Sequence, residues 1–412
     1  MIRTTNRRST TCFNACRHCR PFASDPGPTA FHPALRRRAF SIAALVTVLT
    51  VETALAAPTA IETDYSDQEI LITLPTEVSA DTPPLNATTA ADRVQAYLTR
   101  ARAEGDPRYL GYGQALIEGW PDERMTDRLR ILSATLDQSL HRFEPARAQL
   151  TQVIDQSVDQ AQVSQARLTL ANLELVQGRY AAARGRCEHL ATALPGLIAA
   201  SCMAQVDART GNPNDAYETL KTLTRRASEQ DITSLLWAEG TLADIAAQLG
   251  KPEAEQHWRR VLTLAPDDLY TRTQLADWLL AKGDARSVVT LTDQYEQIDS
   301  LAVIRAIAMK QLGQADGDRL AARLEERFRE ARWRGNLLHQ RDLARYALDI
   351  AGDTATALSY AQRNWQDQRE PLDTRLLMRA AIAAEDETLV AEVRAWLDRH
   401  NQADARYPEE RS

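Results

Sequence analysis

Gly178, Gly211, Gly250, Gly283, Gly313 and Gly352 follow one another at intervals of 33, 39, 33, 30 and 39 residues. Each sits in the same local setting, seen in "VQGRYAAARGRCEHLATALPG", "RTGNPNDAYETLKTL", "QLGKPEAEQHWRRVLTLAPDD", "AKGDARSVVTLTD" and "IAGDTATALSYAQRNW". One helical pattern of apolar residues runs into the glycine, and a second leaves it within a few residues. No other feature limits the fold of this chain as tightly. A glycine at that place ends a helix in the left-handed backbone region, which costs other L-residues about 1–2 kcal/mol. A small residue a few positions later (Ala183, Ala216, Ala254) lets the two helices approach closely. Pro195 and Pro266 then close the second helix. Gly105 in "AEGDPRYLGYGQAL" begins the series earlier, and "LHRFEPARAQL" around Arg142 fits a turn without its glycine.

Counting back from each glycine, a small residue recurs at Ala171, Ala204, Ala243 and Ala276, preceded by a large one at Leu170, Met203, Leu242 and Leu275. This register resembles the tetratricopeptide repeat, whose unit is about 34 residues. The resemblance implies an all-α fold, a right-handed α-solenoid of stacked antiparallel helix pairs over residues 89–400, with seven or eight pairs. Composition agrees: 44% of the chain is apolar but only 6% aromatic, so the core is built from Ala and Leu. The stretches "RGNLLHQRDLARYALDIAGD", "RNWQDQREPLDTRLL", "GDPRYLGYGQAL" and "DQEILITLP" are also similar to uncharacterised exported bacterial tetratricopeptide proteins, a likeness that implies no activity.

The N-terminal region reads differently. "LRRRAFSIAALVTVLTVETALAAP" has the charged, apolar and cleavage parts of a secretory signal over residues 35–56, with the cut between Ala56 and Ala57. The apolar run Ala39–Val51 is short for a membrane span. Arg37 and Arg38 also resemble a twin-arginine signal, so the export route stays open. The expectation is a periplasmic protein with no stable membrane span once the signal is removed; the alternative is an N-terminal anchor in the inner membrane. Residues 1–34 read as an over-extended or removed leader. Its Cys12, Cys16, His18 and Cys19 look like metal ligands, but they leave with it. Residues 57–88 read as an extended arm and residues 401–412 as a disordered tail.

Charge narrows the partners. Residues 1–56 hold eight arginines against Asp25 and Glu52, a net of +6, which leaves −13 for residues 57–412. An acidic body disfavours nucleic acid, whose binding needs a basic patch to displace phosphate counterions. A protein or peptide partner is the reading that remains.

Motifs for catalysis are missing. There is no GxxxxGK[ST], GxSxG or HExxH pattern, and no metal or cofactor is expected. Cys187 and Cys202 lie at similar distances either side of the Pro195-Gly196 turn, so a disulfide between neighbouring helices is compatible with the spacing. Helix rotation could instead point the thiols apart. In a repeat solenoid the first helix of each pair lines the concave face. Positions on that face are Trp237, Asp244, Tyr270, Thr273, Asp277, His339, Asp342, Tyr346 and Asp349. They make the C-terminal half of the groove aromatic and acidic, suited to an extended peptide with basic or polar side chains. Arg345 reads as a structural ion pair with Asp342, Asp349 or a neighbouring helix, and Arg363, Asn364, Trp365 and Arg369 as braces for the next helix. The first function is therefore a non-catalytic exported scaffold holding a protein or peptide. An enzyme or small-molecule site in the same groove, with His339 as base, is the alternative; a structural assembly subunit is a third reading.

Overall fold

A computed structural model describes residues 85–228, 230–334 and 340–409. Among these residues there are 18 α-helices and no strand. The helices form nine consecutive pairs. The first four are α1 (Ala87–Glu104) with α2 (Arg108–Glu118), α3 (Asp127–Ser139) with α4 (Phe143–Gln156), α5 (Gln160–Val176) with α6 (Tyr180–Ala193), and α7 (Leu197–Arg209) with α8 (Pro213–Arg226). Next come α9 (Ile232–Gln248) with α10 (Glu253–Leu264), α11 (Leu269–Ala281) with α12 (Ala285–Leu291), and α13 (Asp299–Gln311) with α14 (Ala315–Trp333). The last two are α15 (Gln340–Tyr346) with α16 (Thr354–Asp367), and α17 (Pro371–Ala383) with α18 (Glu387–Arg399). A π-helical turn, Ala347–Ala351, continues α15.

Every pair turns on one residue with positive φ. Seven of these are glycines: Gly105, Gly178, Gly211, Gly250, Gly283, Gly313 and Gly352. The other two are His141 and Glu385. The turn at Glu385 has no glycine to mark it in the sequence, which is why nine pairs are present where seven or eight were expected. The residue after the turn often caps the next helix. Asp284, Asp353 and Asp386 each accept a hydrogen bond from a backbone N–H of the first helical turn. Such caps stabilise by about 1 kcal/mol each.

The small residues sit where helices meet. Ala171, Ala204, Ala243 and Ala276 are buried, as are Ala183, Ala216 and Ala254. First helices stack on first helices (α3 on α5, α5 on α7, α7 on α9, α11 on α13, α13 on α15), so each pair buries apolar surface against its neighbours. Trp258 is the largest fully buried side chain and packs edge-on against Trp278, ring centroids 6.0 Å apart.

The expected boundaries need two corrections. The helical domain begins at Ala87, capped by the Asn86 side chain, two residues inside the expected arm. The C-terminal tail is not disordered over its described part. Gln402 and Asp404 are 5% and 8% exposed. The Gln248 side chain donates to the carbonyls of Ala208 and Ala403 at 2.7 and 2.8 Å, and the Ala405 N–H donates back to the Gln248 carbonyl at 2.8 Å. Tyr180 donates its hydroxyl proton to Gln402 at 2.9 Å. A polar segment holds this path because buried backbone and carboxamide groups there find partners. The leader, the signal with its Ala56–Ala57 cut, and residues 57–84 of the arm lie outside the described residues.

Candidate functional site

The expected open groove is largely filled by the chain itself. Trp237, on α9, is 3% exposed and belongs to one apolar cluster with Ala344 of α15 and Leu376 and Leu377 of α17. The Arg369 N–H donates to the Val176 carbonyl at 2.7 Å, and Trp396 packs against Tyr180 with centroids 6.0 Å apart. The last two pairs therefore come back against earlier pairs, at the α5–α6 turn and in the cluster around Trp237 of α9. Three turn glycines also lie beneath the C-terminal region. A Cβ on Gly178 would lie 2.9 Å from the Trp396 ring, on Gly211 3.0 Å from Asn401, and on Gly250 3.1 Å from Ala405.

The acidic residues are committed in the same way. Asp277 is 2% exposed and places its two oxygens 2.5 Å from Arg345 and 2.5 Å from Arg375. Burial alone would raise its carboxyl; the two guanidiniums outweigh that and hold it well below the usual carboxylate range. Asp349, on the π-helical turn, accepts two bonds from Arg379 at 2.5 and 3.2 Å, with Arg345 Nε 3.5 Å away. Asp244 accepts from Trp258 Nε1 at 3.3 Å and from the Tyr270 hydroxyl at 3.1 Å. Thr273 donates to the Leu269 carbonyl at 2.8 Å, and Tyr346 to the Ala321 carbonyl at 3.2 Å. Asp342 is buried. His339 lies outside the described residues. An acidic groove for basic peptides is thus not what these positions form. Arg345 does pair with Asp349 and with a carboxylate of another helix, Asp277. Two of the braces form toward α17: Asn364 donates to Asp373 at 2.7 Å and Trp365 to Thr374 at 3.0 Å. Arg369 lies over the Trp365 and Trp396 rings, while Arg363 is exposed and lies over Tyr360 of its own helix.

A cavity of about 550 Å³ lies between α11, α13, α15, α17 and the C-terminal segment. Asp277, Leu280 and Ala281 line it from α11, and Ile307, Lys310 and Gln311 from α13. Arg345 and Asp349 enter from the α15 side, Arg375 and Arg379 from α17, and Arg406 from the C-terminal segment. Arg406 is fixed by a bidentate pair with Asp404, at 2.8 and 2.5 Å. Burial, offset in part by Asp277, and the facing guanidiniums of Arg345 and Arg406 pull Arg375 below the usual arginine value. Sequence reasoning found Asp277, Arg345 and Asp349 but missed Lys310, Arg375, Arg379 and Arg406. The available signal was the i,i+4 arginine pair of α17, which places both guanidiniums on one helix face.

Cys187 and Cys202 form a disulfide, their Cα atoms 5.5 Å apart, joining α6 to α7. Among the described residues no cluster of His, Cys, Asp and Glu can hold a metal ion. Among the same residues no helix is long and apolar enough to cross a membrane.

No family model matches the sequence, and no curated protein sequence matches it. Among solved structures the chain is similar to a monomeric mutant of IFIT1 solved with Gppp-AAAA, at 14% identity and a TM-score of 0.36, covering 78% of this chain and 71% of that one. It is also similar to the TPR domain of P58(IPK), at 14% identity and a TM-score of 0.19, covering 73% and 89%. At such scores the likenesses add nothing to the fold assignment, which rests on the helix pairs themselves. By that geometry the chain is an α-solenoid of stacked antiparallel helix pairs.

Proposed function

We propose that this chain is a non-catalytic repeat scaffold that holds a protein or peptide partner, and that the contact is made at the cavity between α11, α13, α15 and α17. The observation that carries this reading is the choice of groups around the cavity. They are guanidiniums and one ammonium, set among carboxylates already paired with arginine. A carboxylate held far below its usual range is a poor general base, and arginine is no nucleophile. Such groups hold a charged ligand rather than break bonds. A long peptide lying along the concave face has less support, because Trp237 and Asp277 are buried and Asp277 is paired with Arg345 and Arg375.

A photo-crosslinking residue in place of Gln311, on the cavity wall, tests the reading in intact cells. The same residue in place of Arg259, exposed on α10, is the control. A protein adduct formed at the first position and not at the second is expected; equal adducts at both count against the cavity. The cavity volume also lies within the range of small-molecule pockets, roughly 300–1,000 Å³. A small molecule that copurifies while no protein is captured would favour that second reading.

Export belongs to the same proposal. The Cys187–Cys202 bridge suits an oxidising compartment, and the signal-like segment supplies the route. N-terminal sequencing of the mature protein is expected to start at Ala57; a mature chain retaining residues 35–56 indicates an anchor instead.

A further inference from the structure

We propose that the cavity is a carboxylate-binding site, and that the segment it takes from its partner is acidic. The inference rests on the reading that a partner is held there, and it reverses the polarity expected from sequence. Three guanidiniums, Arg345, Arg375 and Arg379, share two carboxylates, Asp277 and Asp349. Lys310 adds a fourth cation; it is exposed and donates to the Ile350 carbonyl at 3.0 Å, leaving donors to spare. Arg406 adds a fifth and brings its own partner, Asp404. Of the residues that line the cavity these five are cations and two, Asp277 and Asp349, are carboxylates, an excess of cations at the wall. Asp404 pairs with Arg406, and Asp342 and Asp244 act on Arg345 and Arg406 from outside that lining.

An incoming carboxylate relieves that excess in two ways. It offers oxygens to guanidinium forks that Asp277 and Asp349 satisfy only in part, as in bidentate arginine–carboxylate recognition. It also offsets the repulsion from Arg345 and Arg406 that adds to burial in holding Arg375 below its usual value. The rest of the chain points to peptide rather than nucleic acid. A body of net −13 repels a polyphosphate outside the cavity, and five cations around one cavity are not a track along a strand. A short acidic segment needs the positive charge only where it enters.

Fluorescence anisotropy with three labelled short peptides of matched length, bearing Asp and Glu, Asn and Gln, or Lys, tests this on the full chain. The acidic peptide is expected to bind most tightly and to weaken as salt rises. The double variant Lys310→Ala with Arg379→Gln changes two partly exposed side chains and is expected to weaken acidic-peptide binding by about tenfold or more. Arg406→Gln is expected to weaken it independently, through the C-terminal segment. Helical content and thermal midpoint confirm that each variant is folded. Acidic-peptide affinity unchanged in both variants overturns the site. Tightest binding by the Lys peptide, lost in the double variant, overturns the polarity but keeps the capture reading. No binding by any peptide removes the capture reading itself. An oligonucleotide that binds as tightly as the acidic peptide, or inorganic phosphate that displaces it at equal concentration, overturns the peptide assignment.

Discussion

Asp277 shows how much a single side chain decides here. Its carboxylate sits between Arg345 and Arg375, and removing its charge leaves two buried guanidiniums facing each other. Breaking such a buried pair costs about 3–5 kcal/mol. Asp277→Asn is therefore expected to lower the free energy of unfolding by that order in urea. The pH dependence has a definite sign. The folded-state pKa lies below the ordinary value of about 3.9, so the stabilisation is fully present above that value and fades as pH falls toward the depressed one. Urea titrations of both proteins should show their gap narrowing in acid; a gap constant from neutral pH to about pH 2 would place the effect elsewhere.

The turns and the disulfide belong to the scale of elements. Gly211 and Gly283 both have positive φ, at 97° and 79°. An added Cβ meets Asn401 at 3.0 Å in the first case and nothing within 4 Å in the second. Gly283→Ala should cost the backbone penalty alone, about 1–2 kcal/mol. Gly211→Ala should cost that and also loosen the C-terminal segment, visible as faster proteolysis after residue 400. Equal proteolysis in the two variants would mean that the segment is not held at this turn. The Cys187–Cys202 bridge closes a separation of 15 residues, worth about 3 kcal/mol in the chain-entropy account. Reductant should lower the urea midpoint of the parent chain and leave that of Cys202→Ser unchanged. The sequence exposed these elements well, because helix, turn glycine and capping aspartate interact within a few residues. It hid the turn at Glu385, where a residue other than glycine takes the same backbone conformation.

Over the whole molecule, the closing contacts come from the C-terminal residues. Deleting residues 401–412 should leave the Tyr180 hydroxyl and the Gln248 side chain without partners they now have. Hydrogen exchange should then rise in α6 and α9 and stay unchanged in α3 and α4. A rise spread over all nine pairs would instead mean global destabilisation. The sequence by itself determined the repeat: apolar spacing, small contact residues and glycine turns each act over three or four residues or across one turn. Only the tertiary structure decided that the last two pairs pack back on earlier ones, and that Asp277 and Asp349 answer to arginines of the same chain. Arg375 reaches Asp277 across 98 positions of sequence. Charge pairing depends on distance in space, which steepens its effect in a desolvated interior. The local pattern that places Asp277 on the inner face therefore cannot tell whether a basic partner or Arg375 will meet it there.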